Sequence, residues 1–583
     1  MNGHDELVLK INNLSIDFAQ QNKTANKVLK NISFEIPTSY IVAMVGESGS
    51  GKSVTGLSVM GLLPTPTAKI TSGEILFFKN LNQPIDLLKL NDKEKNKYRG
   101  NYISMIFQEP MTSLNPVMKC GEQVVEVILK HKPDDIKTKK QAKIKTLDLF
   151  KEVELTYPQR IFNSYPHEIS GGQKQRVMIA MAIACKPRLL IADEPTTALD
   201  ITIQKTILEL LKKLQVSYGM SILFITHDLS IVADIADKVI IMYKGQIVEE
   251  GPTYEIFNNP VHLYTKGLLA CRPPLNKRYL LLPTVSDYIN NDETKLFDSL
   301  QEIKASERVA NHKLLYSNEP ILKVENLQTQ FKLKSSSLVK IKKSYFKAID
   351  NISFEIYPGE TLGLVGESGC GKTTLGRSIL MLVKPFSGKI IYKGRDLKTL
   401  AKHELRNIRK EIQIVFQDPY SSLNPRLTIG KAIMEPMIVH NLYGSFKEQK
   451  KRAIYLLERV GLSEYHFNYY PHEFSGGQRQ RICIARALAL NPQIIICDEA
   501  VSALDVSVQA QVLNLLNELK KDFRFTYLFI SHDLSVVRYM SDRIMVMYKG
   551  KIIEINEADH LFNNPSNNYT KKLIYSIPTS NLQ

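Results

Sequence analysis

Short apolar runs recur along the chain and indicate buried strands. Tyr40–Val45 (YIVAMV) precedes a stretch rich in glycine, Leu189–Ala192 precedes a pair of carboxylates, and Ser221–Ile225 has the same apolar character. Runs of this length without polar alternation are typical of strands that are buried on both faces, as in a parallel sheet. We therefore predict an α/β fold with a mainly parallel core sheet.

A different pattern follows the third run and predicts an antiparallel edge. Val239–Tyr243 is apolar, Lys244 and Gly245 supply turn residues, and Gln246–Glu250 returns in extended form. Such a pattern is typical of a β-hairpin. A similar sequence recurs at Arg543–Ile555, so we expect a second hairpin of the same kind.

The chain repeats itself once. NISFEI occurs at Asn31–Ile36 and again at Asn351–Ile356, and the SGGQ motifs that begin at Ser170 and Ser475 are 305 positions apart. Self-similarity over such a distance indicates two copies of one domain, and 583 residues are enough for two separate cores.

The repeat sets the expected domain boundaries. We predict one domain over residues 1–272, a second over residues 320–583, and a linker over residues 273–319. The linker starts with RPPLNKR and is mixed and polar, which is typical of an extended surface segment with some helix.

Composition places the chain among folded proteins. Hydrophobic residues make up 44% and charged residues 23%, and apolar runs such as Val177–Cys185 are far shorter than the roughly 18 residues that span a bilayer. The N-terminus MNGHDELVLKINN lacks the basic and apolar regions of a signal peptide. We therefore expect no membrane-spanning helix and a location in the cytosol.

The cysteine content and the net charge exclude fewer classes of protein. The six cysteines form no C-x-x-C pair, which argues against a disulfide framework or a zinc site. The net charge of +17 comes from dispersed lysines, and nucleic acid, an anionic membrane surface or solvated helix faces would explain it equally well.

Each copy carries a phosphate-binding loop of the form G-x-x-x-x-G-K-[ST]. Its glycines let backbone N–H groups surround phosphate oxygens, and the lysine reaches the β and γ phosphates of a nucleotide. The candidate residues are Gly46, Glu47, Ser48, Gly49, Ser50, Gly51, Lys52 and Ser53, and Gly366, Glu367, Ser368, Gly369, Cys370, Gly371, Lys372 and Thr373. We expect the hydroxyls of Ser53 and Thr373 to bind Mg²⁺.

An apolar strand ends in two carboxylates in each copy. LLIADE carries Asp193 and Glu194, and IIICDE carries Asp498 and Glu499. The strand would deliver both side chains to the phosphates, where the aspartate orients the magnesium ion and the glutamate acts as general base on a water. We therefore predict that these carboxylates are catalytic in both copies.

The SGGQ motifs identify a family. Ser170 and Ser475 each lie 23 residues before the aspartate of the acidic pair, and this arrangement resembles the signature of ATP-binding-cassette (ABC) ATPases over nearly the whole chain. The resemblance implies a helical subdomain in each copy, and nucleotide contacts from Ser170, Gly171, Gly172, Gln173, Ser475, Gly476, Gly477 and Gln478.

Further family positions follow in order along each copy. The resemblance assigns Gln108 and Gln417 to the Q-loop, which contacts nucleotide and Mg²⁺, Asp200 and Asp505 to the D-loop, and His227 and His532 to the catalytic switch histidine. Phe18 and Phe331 match the aromatic residue that stacks on adenine. Phe346 competes in the second copy, and core packing is an alternative for all three.

The family also implies that the two domains pair head to tail, so that each ATP lies between both. One site would combine Lys52, Gln108, Asp193, Glu194 and His227 with Ser475, Gly476 and Gly477. The other would combine Lys372, Gln417, Asp498, Glu499 and His532 with Ser170, Gly171 and Gly172. ATP and Mg²⁺ are the expected cofactors.

The copies differ near these sites. DEPTTALD in the first copy becomes DEAVSALD in the second, Met181 stands where the second copy has Arg486, and Cys370 lies inside a phosphate loop. Whether the two sites are equally active is open at this stage.

Two further segments in each copy resemble the peptide-importer branch, the dipeptide and oligopeptide permeases with their nickel and glutathione relatives. They are QEPMTSLNP and QDPYSSLNPR, which begin at Gln108 and Gln417, and the closing segments Asn258–Leu269 and Asn563–Ile574. The resemblance implies peptide uptake, two membrane permease subunits, an external binding protein and a place at the cytoplasmic face of the membrane.

Other functions are alternatives at this stage. Glutathione or nickel-complex import fits the same branch, and an exporter shares the cassette core. A tandem ATPase acting on ribosomes or DNA would fit the charge, but such proteins typically lack S-L-N-P after the Q-loop glutamine. We expect no nucleic acid partner.

Overall fold

The computed structural model describes residues 6–20, 23–79, 84–108, 113–131, 136–197, 199–290, 296, 299–332, 345–502 and 504–577. The chain forms two compact units, one that extends to Leu269 and one that spans Ala270–Ile577.

The first unit contains two sheets. Its strands are β1 (Leu7–Gln20), β2 (Lys23–Pro37), β3 (Ile41–Val45), β4 (Ala68–Phe78), β5 (Pro84–Asp86), β6 (Ile103–Ile106), β7 (Leu189–Asp193), β8 (Ser221–Thr226), β9 (Lys238–Tyr243) and β10 (Gln246–Pro252). The core sheet has the order β10-β9-β3-β8-β7-β6 and is parallel except for the hairpin of β9 and β10. The second sheet, β2-β1-β4-β5, is antiparallel. The predicted parallel core and antiparallel edge are confirmed.

Helices cover the core sheet and form a subdomain. They are α1 (Lys52–Met60), α2 (Asp92–Tyr98), α3 (Cys120–His131), α4 (Lys139–Glu152), α5 (Pro158–Asn163), α6 (Gly171–Ile183), α7 (Ile201–Tyr218), α8 (Leu229–Ile235), α9 (Thr253–Asn258) and α10 (Leu263–Ala270). Helices α3, α4 and α5 pack on one another and on α6, which gives the expected helical subdomain.

Alternate residues of the core strands face opposite hydrophobic clusters. In β8, Leu223 and Ile225 pack with the sheet of β1, β2 and β4, whereas Ile222 and Phe224 pack with the helices. The strand is buried on both faces, which explains why its sequence lacks polar alternation.

The second unit repeats both sheets. Its strands are β11 (Leu322–Lys332), β12 (Tyr345–Ile356), β13 (Thr361–Val365), β14 (Ser387–Tyr392), β15 (Arg395–Asp396), β16 (Ile412–Val415), β17 (Ile494–Asp498), β18 (Thr526–Ile530), β19 (Arg543–Tyr548) and β20 (Lys551–Glu557). The orders β16-β17-β18-β13-β19-β20 and β12-β11-β14-β15 match those of the first unit.

The helices of the second unit begin within the predicted linker. They are α11 (Val285–Ile289), α12 (Ala305–Leu315), α13 (Lys372–Ile379), α14 (Lys402–Glu411), α15 (Pro419–Ser422), α16 (Ile429–Val439), α17 (Phe446–Arg459), α18 (Gly476–Leu488), α19 (Val506–Phe523), α20 (Leu534–Met540), α21 (Ala558–Asn563) and α22 (Asn568–Tyr575). Short 3-10 helices cover Pro166–Glu168, Glu464–Asn468 and Pro471–Glu473.

Residues 270–319 are fastened to the second unit by polar contacts. Arg278 donates hydrogen bonds to the carbonyl oxygens of Arg538 and Ser541 at the end of α20. Leu282 exchanges two hydrogen bonds with the Asn514 side chain, at 2.8 and 2.7 Å. The predicted linker region therefore packs as part of this unit.

No helix among the described residues is long and apolar enough to cross a membrane. All six cysteines are buried, and none of them forms a disulfide.

Candidate functional site

Each phosphate loop connects a core strand to a helix. The first loop follows β3 and enters α1, where Gly49 and Gly51 have φ of 81° and 104°. Lys52 Nζ donates to the carbonyl oxygens of Gly46 at 2.7 Å and Glu47 at 2.8 Å, so the loop wraps around its own lysine. The positive φ values explain the glycines, since other residues rarely adopt this conformation.

The second phosphate loop has the same geometry between β13 and α13. Lys372 Nζ donates to the carbonyl oxygens of Gly366 at 2.7 Å and Glu367 at 3.0 Å. A Cβ atom added at Gly369 would have no heavy atom within 4 Å, and the same holds for Gly49 of the first loop. The loops are therefore open at these glycines, and this open cradle fits a phosphate group.

A hydroxyl and a carboxylate meet at the start of each helix. Ser53 Oγ donates to Asp193 Oδ1 at 3.0 Å, and Thr373 Oγ1 donates to Asp498 Oδ1 at 3.0 Å. Burial and the neighbouring Glu194 raise the pKa of Asp193 to about 6, against the lowering effect of Ser53 and Lys52. Burial likewise raises the pKa of Asp498.

This pair of oxygen ligands fits Mg²⁺, which typically takes one or two protein oxygens together with the phosphates of its nucleotide. Among the described residues no group of three or more His, Cys, Asp or Glu side chains could hold a metal without a nucleotide.

Glu194 follows β7 in a left-handed backbone conformation, with φ of 46°. Its carboxylate accepts hydrogen bonds from Gln108 Nε2 at 2.8 Å and Thr197 Oγ1 at 2.9 Å, and lies 3.0 Å from His227 Nδ1. Burial raises the pKa of Glu194, but the contacts with His227, Thr197 and Gln108 outweigh it and lower the pKa to about 2. The carboxylate is therefore ionised at neutral pH and is held by side chains from three segments.

Glu499 has the same backbone, with φ of 51°, but a different set of partners on its carboxylate. Gln417 Nε2 donates to it at 2.8 Å, His532 Nδ1 lies at 3.4 Å, and Lys372 Nζ lies at 4.0 Å. Ser502 stands where the first copy has Thr197, yet it donates to the backbone oxygen of Glu499 at 2.9 Å.

Sequence reasoning missed Thr197 as a partner of the glutamate. The comparison of DEPTTALD with DEAVSALD contained the signal, because Thr197 and Ser502 differ there. The described residues do not include Glu109–Thr112 of the first Q-loop segment or the alanines of both ALD motifs.

The signature motifs begin helices α6 and α18. Ser170 Oγ accepts from the Gln173 N–H at 3.3 Å, and Gln173 Oε1 accepts from the Ser170 N–H at 3.0 Å, which is a capping box. Ser475 and Gln478 form the same pair at 3.4 and 3.1 Å. Each motif therefore starts a helix with its serine at the N-cap position.

The second glycine of each signature is required by packing. A Cβ atom at Gly172 would lie 2.8 Å from Ile203, and one at Gly477 would lie 2.2 Å from Val508. By contrast, a Cβ atom at Gly476 would meet nothing within 4 Å. Ser170, Gly171 and Ser475 are exposed and Gly476 is half-buried, so these positions are accessible to a ligand.

The remaining predicted residues lie at strand and helix ends. Asp200 and Asp505 are the N-cap residues of α7 and α19. Phe18 is half-buried and packs against the cluster of the antiparallel sheet, whereas Phe331 is 43% exposed and pairs across the strands with Phe346, which is 50% exposed. Both aromatic candidates in the second copy are therefore accessible.

An α/β domain with a phosphate loop, a serine or threonine beside a strand-end aspartate and an adjacent half-buried glutamate defines an ATPase of the P-loop class. The family model "ABC transporter" matches residues 29–197 and 349–502, which together are more than half of the chain. The model "Oligopeptide/dipeptide transporter, C-terminal region" matches residues 248–308 and 553–582. The chain belongs to the ATP-hydrolysing, ATP-binding subunits of ABC transporters, in the oligopeptide/dipeptide transporter family, with two fused cassettes.

Relatives align with nearly the whole of this chain. The chain is 45% identical to the glutathione import ATP-binding protein GsiA of Pectobacterium atrosepticum, over 99% of this chain and 90% of that protein. It is 47% identical to GsiA of Salmonella typhimurium and 46% identical to GsiA of Escherichia coli K12, in each case over 98% of this chain and 90% of the relative.

Solved structures match single cassettes. The dimeric ATP-binding cassette MJ0796 bound to ADP and Pi is 32% identical and covers 41% of this chain and 98% of that chain, with a TM-score of 0.37. The cbiO1 protein of Clostridium perfringens is 28% identical and covers 42% and 92%, with a TM-score of 0.37.

Proposed function

We propose that the chain is the motor of an importer of short peptides and that glutathione, itself a tripeptide, is within its substrate class. The observation that carries this proposal is the match of both copies to the oligopeptide/dipeptide C-terminal region, together with full-length similarity to glutathione importers. Nickel complexes remain the second substrate class of the branch.

Catalysis is assigned to the strand-end glutamates. Glu194 and Glu499 accept a proton from the attacking water, since each carboxylate is half-buried next to a phosphate loop and is ionised at neutral pH. His227 and His532, which lie within 3.0 and 3.4 Å of these carboxylates, orient them and stabilise the phosphoryl group during transfer.

Nucleotide binding is assigned to the phosphate loops and signatures. Lys52 and Lys372 neutralise the phosphates, and Ser53 with Asp193, and Thr373 with Asp498, hold Mg²⁺. The ion supplies charge neutralisation at the transferring phosphoryl group. Gln108 and Gln417 hydrogen bond to the catalytic glutamates at 2.8 Å and so connect the Q-loops to each site.

The family supports an assembly in which the two cassettes pair head to tail and each ATP contacts the opposite signature. Closure then requires ATP, and hydrolysis reopens the pair. The chain acts at the cytoplasmic face of the cytoplasmic membrane with two permease subunits and an external binding protein.

Glu194→Gln together with Glu499→Gln tests the catalytic assignment. We expect ATP turnover of the purified chain to fall by about 10² to 10⁴, because a general base contributes about that factor. The exposed pair Glu209→Gln and Glu518→Gln is the matched control and should leave turnover unchanged. Turnover near the wild-type rate in the first variant would exclude these glutamates as general bases.

The substrate is tested in cells that carry either the wild-type chain or the same double variant. Accumulation of labelled glutathione and of labelled di- and oligopeptides should fall with the variant while unrelated uptake continues. Unchanged accumulation of all these peptides would overturn the proposed substrate class without affecting the ATPase assignment.

A further inference from the structure

A tyrosine of the C-terminal region contacts the phosphate loop in each copy. Tyr264, on α10, accepts a hydrogen bond on its hydroxyl from the backbone N–H of Glu47 at 3.1 Å. Tyr569, on α22, accepts the equivalent bond from Glu367 N–H at 3.2 Å. The Tyr264 side chain is completely buried, so this contact is part of the interior.

The bonded residue is also one that holds the phosphate-loop lysine. The Glu47 N–H donates to the Tyr264 hydroxyl, while the Glu47 carbonyl oxygen accepts the hydrogen bond from Lys52 Nζ at 2.8 Å. In the second copy the Glu367 carbonyl accepts from Lys372 Nζ at 3.0 Å. A single loop residue therefore links the tyrosine hydroxyl to the lysine ammonium.

The tyrosine rings are fixed against the core sheet. Tyr264 packs on Tyr243 at the end of β9 with ring centroids 4.3 Å apart, and Tyr569 packs on Tyr548 of β19 at the same distance. Strand β9 pairs with β3, which leads into the phosphate loop. The hydroxyl is thus held in place relative to the strand that positions the loop.

The helices that carry the tyrosines are fastened at their starts. Glu249 of β10 accepts hydrogen bonds from the N–H groups of Val261 at 2.8 Å and His262 at 3.1 Å, just before α10. Glu554 of β20 accepts from the N–H groups of Ser566 at 2.9 Å and Asn567 at 3.2 Å, just before α22. In both copies the hairpin therefore holds the start of the helix that carries the tyrosine.

We propose that Tyr264 and Tyr569 are positioning residues for ATP binding, and that the C-terminal region of each copy is for this reason part of its nucleotide site. The hydroxyl holds the backbone of Glu47 or Glu367 and, through its carbonyl, the position of Lys52 or Lys372. This inference rests on the proposed role of the two lysines in binding phosphate.

The test is Tyr264→Phe and Tyr569→Phe, singly and together, in the full chain. Phenylalanine keeps the packed ring and removes only the hydroxyl group. We expect the double variant to raise the KM for ATP about 3- to 10-fold with kcat within about twofold, the size of one lost hydrogen bond that acts on binding. Tyr254→Phe, an exposed tyrosine of α9, is the control and should leave KM unchanged.

Melting temperature without nucleotide separates positioning from simple packing. A double variant with lowered melting temperature and wild-type KM would overturn the proposal, since the hydroxyl would then stabilise the fold alone. Lys52→Ala with Lys372→Ala is measured in parallel. If the lysine double variant had an unchanged KM for ATP, the proposed role of the lysines would fail, and with it this inference. If the lysine double variant bound ATP poorly while the phenylalanine variants kept the wild-type KM, the tyrosine proposal alone would be overturned.

Discussion

The two glutamates proposed as general bases are held by backbone conformation as well as by hydrogen bonds. Glu194 and Glu499 have φ of 46° and 51°, in a region that residues other than glycine rarely occupy. Such conformations cost energy and persist where the surrounding structure enforces them. Here the glutamate N–H groups donate to the carbonyl oxygens of Ile225 and Ile530, each at 2.9 Å, which ties the turn to the neighbouring strand.

Thr197 and Ser502 give the two sites a measurable difference. Thr197 donates to the Glu194 carboxylate, whereas Ser502 donates to a backbone oxygen. Thr197→Val, measured with Glu499→Gln so that only the first base is present, should lower kcat by up to about tenfold because one bond to the charged carboxylate is lost. Ser502→Ala with Glu194→Gln should change kcat less; equal losses would show that the hydroxyls act in the same way.

At the scale of elements, the helices that follow the two signatures differ in the contacts made by Arg486 and by its counterpart Met181. Arg486 on α18 donates to the backbone oxygen of Ser422 at 2.8 Å and to Glu435 at 3.0 Å, so it connects this helix to the segment after Gln417. Met181 on α6 lacks the nitrogen atoms for these bonds and lines a cavity of about 320 Å³ together with Glu126.

Arg486→Met should therefore impair the Q-loop without unfolding the cassette. The pair with Glu435 is partly exposed, and such pairs contribute about 0–1 kcal/mol, so the melting temperature should change little. We expect ATP turnover to fall about 2- to 10-fold, the effect of one misplaced hydrogen bond. Met181→Arg is the reciprocal variant, since Glu126 lines the same cavity. Unchanged ATP turnover in Arg486→Met would show that Arg486 does not support the Q-loop.

At the scale of the whole molecule, residues 270–319 belong to the second compact unit. Arg308 of α12 and Arg538 of α20 both pair with Asp559, and His312 lies 3.5 Å from Asp542. Burial and the nearby Arg308 lower the pKa of Arg278 to about 10, so its guanidinium is still charged at neutral pH when it donates to the end of α20. A cation is stabilised at the C-terminus of a helix, where the helix dipole is negative.

Arg278→Ala should therefore destabilise the second unit in the full chain. The carbonyl oxygens of Arg538 and Ser541 would lose their donor, at a cost of about 1–3 kcal/mol. Thermal or denaturant unfolding of the full chain measures this loss, with the exposed neighbour Lys277→Ala as control. Equal stability of both variants would mean that the segment lies on the unit without supporting it.

Local patterns in the sequence determined the buried parallel strands, the terminal hairpins, the repeat and the motifs of both phosphate loops. Each of these depends on residues that are close in the chain, such as the glycines of the loop or the unbroken apolar run of β8. The spacing from SGGQ to the acidic pair was enough to indicate the family.

Only the tertiary structure decided which distant residues meet. Gln108 and His227 contact Glu194 from 86 and 33 positions away, Tyr264 lies 217 positions from the loop residue it contacts, and Arg278 lies 260 positions from Arg538. No sequence period encodes such contacts, because they follow from how strands and helices pack.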